Sequence, residues 1–323
     1  MTLSPSEVAF FRQADPWGFI LFARNIDTPD QVSALTRSLR DAVGRNAPIF
    51  IDQEGGRVQR MGPPHWRQWL PPLDEATRAG SHAPDAFKLR AQIIAQELCA
   101  LGIDGNCVPC LDIADADTHP FLKNRCLGSN PEDVALNGAA VIDGTGLGGC
   151  LPVIKHMPGH GRATSDSHED VPRVATSRAD LDATDFVPFK QLAHTPLGMT
   201  GHIIFEAIDD QPATLSPVMI NLIRQDIGFT GLLMTDDISM GALSGSVAQR
   251  STAAIAAGCD LVLHCNGNMR EMEAVVAATG RLTDAGQTRA NAALATRDGS
   301  APGEVDMAAL VAAYEQLVKG FDA

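Results

Sequence analysis

The sequence predicts an α/β protein built as a (β/α)8 barrel. Short apolar runs alternate with helix-like segments through most of the 323 residues. Most of these runs are uninterrupted by polar residues, which is typical of parallel strands buried on both faces. Polar residues follow nearly every run. A barrel gathers such strand ends around one mouth, whereas a doubly wound open sheet spreads them along an edge, so we favour the barrel.

Seven short apolar runs are predicted strands. They are Gly18–Phe22, Pro48–Ile51, Ile103–Ile113, Leu151–Ile154, Leu197–Phe205, Gly231–Thr235 and Asp260–His264. The polar residues at their C-terminal ends are Arg24-Asn25, Asp52-Gln53-Glu54, Asp112, Lys155-His156, His202, Asp236-Asp237 and His264. We expect these side chains to meet at one site.

Helix starts separate the strands. Three of them place a capping residue before proline at the first helical position, namely Thr28-Pro29, Asn130-Pro131 and Ser216-Pro217. Further helices are predicted over 248–258, 269–279 and 307–319. The polar stretch Arg297–Gly303 predicts a linker before the last helix, which we place within about 304–320. We expect a single domain over 1–323.

Composition excludes several classes of protein. The formal net charge is −14 and no cluster of Lys and Arg offsets it, so we expect no nucleic-acid partner. No apolar run reaches the roughly 18 residues of a membrane span, and the N-terminus lacks the pattern of a secretory signal. The seven scattered cysteines favour buried thiols and a cytoplasmic location.

The stretch from Lys155 to His168 is the most informative part of the chain. A Lys-His pair ends a predicted strand, Pro158-Gly159 breaks the chain, and a glycine-containing loop leads to Asp166-Ser167-His168. An imidazole can give and take a proton at neutral pH, and a nearby carboxylate can orient the ring. This pattern predicts a general acid/base delivered by a loop.

Acidic residues after two other strands have two interpretations each. Asp236 is either a nucleophile or, like Asp237, a helix cap. The stretch from Asp52 to Arg60 is either an ion-paired loop or a site in which Asp52 accepts hydrogen bonds from sugar hydroxyls and Arg60 fixes a polar group. Trp66 and Trp69 are either sugar-stacking platforms or packing residues.

These pieces together resemble the single-domain bacterial β-N-acetylglucosaminidases of glycoside hydrolase family 3. The segments that carry the resemblance are Gly18–Asn25, Ile51–Arg60, Val108–Asp112, Lys155–His168 and Thr235–Met240. They occur in the order that the family has. The Lys-His-x-Pro-Gly-His-Gly loop ending in Asp-Ser-His is specific to this branch of the family.

The resemblance implies a retaining, two-step hydrolysis. Asp236 would be the nucleophile, and His168 would be the acid/base with Asp166 as its partner. The non-reducing sugar would be held by Asp52, Arg60, Arg125, Lys155 and His156. The match of Arg125 depends on its distance from Lys155 rather than on a motif.

Relatives in this family carry a strand before the segment equivalent to Leu3–Glu7, and this sequence starts at Met1. We therefore expect the first barrel strand to be missing or its place to be covered by another segment. An uncovered strand would leave an open edge that favours aggregation. Backbone hydrogen bonds on both sides of the run from Phe19 to Phe22 would contradict this expectation.

The predicted activity is removal of terminal β-linked N-acetylglucosamine. The family implies cell-wall turnover fragments as substrates, N-acetylglucosamine joined to anhydro-N-acetylmuramic acid with or without peptide, and a role in peptidoglycan recycling. We expect a monomer that needs no cofactor. Two alternatives stay open: a phosphorolytic N-acetylglucosaminidase, because a histidine acid/base does not repel phosphate, and a sugar-binding protein without catalytic activity.

Three other patterns are set aside. Gly144–Gly149 matches a dinucleotide fingerprint but follows a helix and precedes a strand, the reverse of what that site needs. Cys107 and Cys110 lie in one predicted strand with their sulfur atoms on opposite faces, which argues against a redox or metal role. The histidines that a zinc site would combine are His156, His160, His168 and His202. The first two flank a Pro-Gly break, so we expect no metal.

Overall fold

The computed structural model describes residues 2–163, 165, 171–299 and 305–319. Two of the predicted catalytic residues, Asp166 and His168, lie outside this part of the chain. The stretch predicted as a linker, Arg297–Gly303, lies partly outside it. Its first three residues belong to a helix, Asp284–Gly299, that was not predicted.

Eleven strands form within the described residues. In chain order they are β1 Phe19–Leu21, β2 Ile49–Ile51, β3 Gln53–Gly55, β4 Val58–Gln59, β5 Gly105–Asn106, β6 Leu151–Met157, β7 Arg173–Val174, β8 Leu197–Thr200, β9 Ile204–Phe205, β10 Leu232–Asp237 and β11 Leu261–Leu263. Each of the seven predicted runs contains or overlaps one of them.

The helices are α1 Pro5–Ala14, α2 Pro29–Val43, α3 Pro72–Ala79, α4 Ala83–Ala100, α5 Pro120–Lys123, α6 Pro131–Leu147, α7 Arg178–Ala183, α8 Val187–Gln191, α9 Pro217–Gln225, α10 Val247–Ala257, α11 Met269–Thr279, α12 Asp284–Gly299 and α13 Met307–Lys319. Short 3₁₀ turns cover Ala23–Asn25, Gly80–His82 and Ala213–Leu215. In the described part of the chain, no helix has both the length and the apolar character that crossing a membrane requires.

The predicted helix caps are confirmed. The Thr28 hydroxyl accepts a hydrogen bond from the backbone of Gln31, and the Ser216 hydroxyl accepts one from Met219. The Asn130 side chain accepts from the Asp133 backbone at 2.9 Å. Each of these side chains satisfies a backbone donor that the first turn of a helix leaves without a partner.

The chain divides into two compact units. The first contains the described residues of 1–108, 140–152 and 294–323. In it β1 pairs with β2, β2 with β5, and β5 with the first two residues of β6, all in parallel. A two-stranded antiparallel hairpin, β3 and β4, follows β2. The last helix, α13, packs against α3 and α4.

The second unit contains residues 109–139 and the described residues of 153–293. The rest of β6 pairs with β8, β8 with β10, and β10 with β11, again in parallel. A second small sheet joins β7 and β9. Helices α10 and α11 pack against each other.

Seven strands therefore pair in parallel in the order in which they occur in the chain, β1, β2, β5, β6, β8, β10 and β11. The α/β class with a parallel sheet is confirmed. Within the described residues, β1 has β2 as its paired neighbour. The absence of a preceding strand and the closure of a barrel stay predictions.

Two predicted strands are shorter than the sequence suggested. The run 103–113 forms a ladder only at Gly105–Asn106, because the chain then turns and the Val108 N–H bonds back to Asn106 O at 2.8 Å. Cys110 returns to the sheet through a single bridge to Lys155. The argument that Cys107 and Cys110 alternate along one strand is therefore wrong. The run 197–205 is divided into β8 and β9, which pair in different sheets.

A buried polar cluster connects three helices of the first unit. Glu75 on α3 is fully buried and forms an ion pair with Arg90 on α4. The Tyr314 hydroxyl on α13 donates to Glu75 Oε2 at 2.9 Å. The Tyr314 ring meets the Trp69 ring edge-on, with centroids 5.2 Å apart. Trp69 is only 2% exposed, so it is a packing residue and not a sugar-stacking platform.

Substituting Tyr314→Phe should lower the free energy of unfolding by about 1 kcal/mol, because Glu75 loses one donor but keeps Arg90. Urea unfolding followed by circular dichroism measures the change. Glu315→Gln on the same helix is the control, because its ion pair with Arg67 is partly exposed and such pairs contribute ~0–1 kcal/mol. If Tyr314→Phe is as stable as the wild type, the Tyr314 hydroxyl does not contribute to the packing of α13.

Candidate active site

Strand β6 places Lys155 and His156 in the interior of the second unit. All seven residues of the strand are buried, and its two polar residues are 1% and 5% exposed. Ile154 pairs with Gly198 and Met157 with Thr200, so three steps along β6 match two along β8. Such an irregularity re-aims side chains next to functional sites. The strand predicted to end at Ile154 therefore continues through the Lys-His pair.

A buried carboxylate, Asp112, lies beside His156. Asp112 is fully buried, and its Oδ2 is 2.7 Å from His156 Nδ1. Its Oδ1 accepts the backbone N–H of His160 at 2.7 Å, and Cys110 Sγ donates to Oδ2 at 3.2 Å. Burial by itself would raise the pKa of Asp112, but the contacts with His156 and His160 outweigh it and hold the pKa far below its ordinary value. The group is therefore a carboxylate.

The partners of His156 determine where its proton lies. An ionised carboxylate only accepts hydrogen bonds, so His156 Nδ1 carries the hydrogen that Asp112 receives. On the other side of the ring, Nε2 is 3.3 Å from Nη2 of Arg125, which can only donate. Nε2 must then be an unprotonated acceptor. The geometry assigns His156 as a neutral imidazole protonated at Nδ1.

The contact with His156 Nε2 also locates Arg125, which the sequence analysis matched only by its distance from Lys155. Arg125 follows the short helix α5, and its backbone N–H bonds to Leu122 O. Its side chain is buried, with 9% exposed. Three of the predicted sugar-binding residues, Arg125, Lys155 and His156, therefore lie together on neighbouring segments of one unit.

The two acidic residues at the end of β10 have different surroundings. The Asp237 carboxylate accepts from the Ser239 backbone and hydroxyl at 3.0 and 2.8 Å and from the Cys265 backbone at 3.1 Å. The Asp236 carboxylate accepts the Asp237 N–H at 2.8 Å. These Asp237 contacts stabilise the turn that follows β10 and not a helix start, since α10 begins at Val247 with Ser246 as its cap. The predicted helix-cap role is therefore wrong for Asp237, and Asp236 is left available for chemistry.

Asp236 is held as a carboxylate. Its burial would raise its pKa, but the positive electrostatic potential of the groups that face it, with the Asp237 N–H and the Lys155 ammonium among them, brings the pKa below its ordinary value. An ionised, partly desolvated carboxylate within the electrostatic influence of a lysine can act as a nucleophile toward an electrophilic carbon.

His202 supports the end of β10. Its Nε2 donates to the Asp237 carbonyl at 2.9 Å, and its Nδ1 lies 2.8 Å from the Thr214 hydroxyl. The side chain is fully buried, and burial lowers its pKa, so the ring is neutral. His202 was recognised in the sequence only as a polar residue at a strand end. Its role as a support depends on Thr214, which the sequence does not mark.

His160 is a third buried histidine, in the Pro-Gly-His-Gly segment. Its ring lies 5.8 Å from the His156 ring and 6.2 Å from the Phe121 ring, centroid to centroid. A Cβ on Gly201 would come within 3.1 Å of the His160 ring, so a glycine is needed there for close packing. Burial lowers the pKa of His160 to about 4. Its Nδ1 has no hydrogen-bond partner among the described residues.

Asp52 and Arg60 belong to the first unit and flank the β3–β4 hairpin. Arg60 Nη2 contacts Asp52 Oδ2 at 3.0 Å, and the guanidinium lies 5.2 Å from the centre of the Phe22 ring. The turn between the strands, Gly56-Arg57, follows Gly55, the last residue of β3, and both glycines have positive φ. The ion-paired interpretation of this loop is therefore observed. A sugar-binding role for the same pair stays a prediction.

One group of side chains in the described residues has the spacing of a metal site. Cys110 Sγ, a carboxylate oxygen of Asp112 and a ring nitrogen of His156 lie within 4.8 Å of one another. Zinc needs a deprotonated thiol and a free imidazole nitrogen. Burial, contact with Cys126 and the Asp112 charge raise the pKa of Cys110, and His156 Nδ1 already donates to Asp112. The group is best described as a hydrogen-bonded network.

The neutral state of His160 predicts a pH dependence of stability. Its folded pKa of about 4 lies below its ordinary value of 6.5, so the unfolded chain binds the proton first. The free energy of unfolding should therefore fall as the pH drops from 6.5 to about 4, by up to roughly 3 kcal/mol from this group. When urea unfolding is measured across this pH range, the free energy of unfolding should change less steeply with pH in His160→Gln than in the wild type. Parallel profiles for the two proteins would contradict the assignment.

Comparisons with known proteins identify the family of this chain. A family model described as "Glycosyl hydrolase family 3 N terminal domain" matches residues 11–294. A protein named "Beta-hexosaminidase" from Tolumonas auensis is 35% identical over 305 residues, which cover 92% of this chain and 88% of that protein.

Two solved structures are similar along nearly the whole chain. A glycoside hydrolase family 3 β-N-acetylglucosaminidase from Paenibacillus sp. str. FPU-7 has a TM-score of 0.86 at 29% identity, covering 98% of this chain and 65% of that one. NagZ from Neisseria gonorrhoeae in complex with N-trifluoroacetyl-D-glucosamine has a TM-score of 0.83 at 28% identity, covering 98% and 93%. The chain therefore belongs to glycosyl hydrolase family 3.

Proposed function

We propose that this chain is a retaining exo-β-N-acetylglucosaminidase. Its family and its β-hexosaminidase relatives make it a β-N-acetylhexosaminidase. The observation that carries the finer assignment is the difference between the adjacent acids. Asp237 is occupied by hydrogen bonds of the turn after β10, while Asp236 is an available carboxylate within the electrostatic influence of Lys155.

Asp236 would attack the anomeric carbon and form a glycosyl-enzyme. Retaining glycosidases usually pair two carboxyl groups about 5–5.5 Å apart. Here His168 with Asp166 would take the place of the acid carboxyl, protonating the leaving oxygen and then activating water. Support for these two residues comes from the Asp-Ser-His motif. A neutral acid/base avoids like-charge repulsion with the nucleophile.

The buried cations would hold the terminal sugar. Lys155 and Arg125 offer N–H donors to sugar hydroxyls in a desolvated setting, where each hydrogen bond to a charged group is strong. His156 orients Arg125 through its Nε2. We also assign sugar contacts to Asp52 and Arg60, whose ion pair provides an acceptor and a forked donor.

The relatives support an N-acylated amino sugar as the substrate class. The solved NagZ structure contains N-trifluoroacetyl-D-glucosamine, an N-acylated amino sugar. We propose that the natural substrates are peptidoglycan turnover fragments that begin with N-acetylglucosamine and continue into anhydro-N-acetylmuramic acid. The protein would act as a cytoplasmic monomer with one (β/α)8 catalytic domain and without a cofactor.

Asp236→Asn should lower kcat on an aryl β-N-acetylglucosaminide by at least about 10³-fold, because the amide cannot form the glycosyl-enzyme. Asp237→Asn is the matched control. Its Oδ1 can still accept the Ser239 and Cys265 N–H groups, so kcat should stay within about 10-fold of the wild type. Equal losses in the two variants would remove Asp236 from the role of nucleophile.

A slow fluorinated N-acetylglucosamine donor should form a stable adduct with the wild-type enzyme. Intact-protein mass and peptide mapping should place the adduct on Asp236, and the Asp236→Asn protein should show none. An adduct on another residue would identify a different nucleophile. If the donor is turned over without an adduct and the released sugar has the inverted anomeric configuration, the retaining mechanism is excluded.

His168→Ala should affect substrates with poor leaving groups far more than activated aryl glycosides, because only the former need protonation of the leaving oxygen. Comparing kcat/KM for a disaccharide and a dinitrophenyl glycoside measures this difference. Equal losses on both would rule out the acid role.

In phosphate buffer the wild type should release the free sugar, whereas a sugar 1-phosphate as the main product would show phosphorolysis.

A further inference from the structure

The Asp112 carboxylate accepts hydrogen bonds from a proposed sugar-binding residue, His156, and from His160, which precedes the proposed acid/base. One oxygen receives the Nδ1–H of His156, which in turn accepts from Arg125. The other oxygen receives the backbone N–H of His160. His160 precedes Asp166 and His168 in the chain, and residues 160–168 belong to the acid/base loop that the sequence predicts. A single fully buried side chain is therefore bonded to the sugar-binding residues and to the start of the acid/base loop.

The start of this loop, residues 160–163, is fastened to the segment that Asp112 begins. The Thr118 hydroxyl donates to Gly161 O at 2.6 Å, and the His119 N–H donates to Ala163 O at 3.0 Å. A Cβ at Gly161 would lie 2.1 Å from the Ile113 carbonyl oxygen, so the two backbones are in close contact. Segment 112–119 therefore forms the base on which the loop starts.

We propose that Asp112 is a positioning residue, which fixes the tautomer of His156 and thereby the guanidinium of Arg125, and which anchors the first residue of the acid/base loop. This inference deepens the proposed function, since its kinetic consequence concerns the same reaction. Asp112 touches neither the sugar nor the reacting atoms in this scheme. It acts through His156 and His160.

The charge of Asp112 matters as well as its shape. An asparagine of the same size keeps one acceptor for the His160 N–H but can turn its NH₂ group toward His156 Nδ1. Nδ1 would then have to accept, and the ring would carry its proton on Nε2. That proton would face Arg125 Nη2, which is also a donor, so the contact that holds Arg125 would be lost.

The test combines the tautomer of His156 with binding and kinetics in Asp112→Asn. Long-range ¹H–¹⁵N spectra of histidine-labelled protein distinguish the two neutral tautomers, and His156→Gln assigns the resonance. Cys110→Ala is the matched control, because it removes another donor to the same carboxylate but leaves both histidine contacts. Calorimetry with N-acetylglucosamine reports sugar affinity without turnover, and an aryl glycoside gives kcat and KM.

We expect the Nδ1–H form of His156 in the wild type and in Cys110→Ala, and the Nε2–H form in Asp112→Asn. Sugar affinity and kcat/KM should fall by about 10- to 100-fold in Asp112→Asn and stay within about 2-fold in Cys110→Ala. A wild-type His156 protonated at Nε2 would overturn the proposal even if Asp112→Asn does not fold. So would an Asn variant that keeps wild-type affinity and kcat/KM.

The test separates this inference from the proposed function. A wild type that binds N-acetylglucosamine but hydrolyses no glycoside would exclude the proposed hydrolase. If Asp112→Asn then still switches the tautomer and weakens sugar binding, the positioning role of Asp112 stands. If the hydrolase is active but neither quantity changes in the variant, only the positioning role fails.

Discussion

An ionised carboxylate without solvent contact, Asp112, is the interaction on which the candidate site depends. A buried charge is costly unless hydrogen bonds satisfy it, so its donors are held in place by the cost of losing them. Those donors are the ring and the backbone of His156, the backbone of His160 and the Cys110 thiol. Moving any one donor away leaves the buried charge with fewer hydrogen bonds, which costs free energy. The residues around Asp112 are therefore held rigidly.

This rigidity matters because the proposed nucleophile has few contacts of its own. Asp236 accepts the N–H of the residue that follows it, and its neighbours act mainly through charge. A nucleophile fastened by many hydrogen bonds would be a weaker one, since each bond stabilises the anion before it reacts. The surrounding groups therefore have to be positioned by other contacts. Asp112 supplies them for His156, and Thr214 supplies them for His202.

Sequence patterns predicted the strands, because runs buried on both faces and capped helix starts are local features. They also placed Lys155, His156 and Asp236 at strand ends. They did not predict the role of Asp112, since its partners lie 44 and 48 residues away in sequence and depend on tertiary packing. The same limit applies to Trp69, whose aromatic ring is equally suited to a sugar or to the Tyr314 side chain that covers it.

Three buried histidines in the second unit show how one residue type serves different purposes. The proton of His156 is fixed by a carboxylate and a guanidinium, and that of His202 by a carbonyl. His160 is kept neutral by burial. An acid/base histidine has to change its charge in each turnover, so it needs one ring nitrogen that faces the substrate and no fixed protein partner. In our proposal that task belongs to His168, which follows the anchored residues 160–163 in the chain. The group that titrates is thereby separated from the groups that must not.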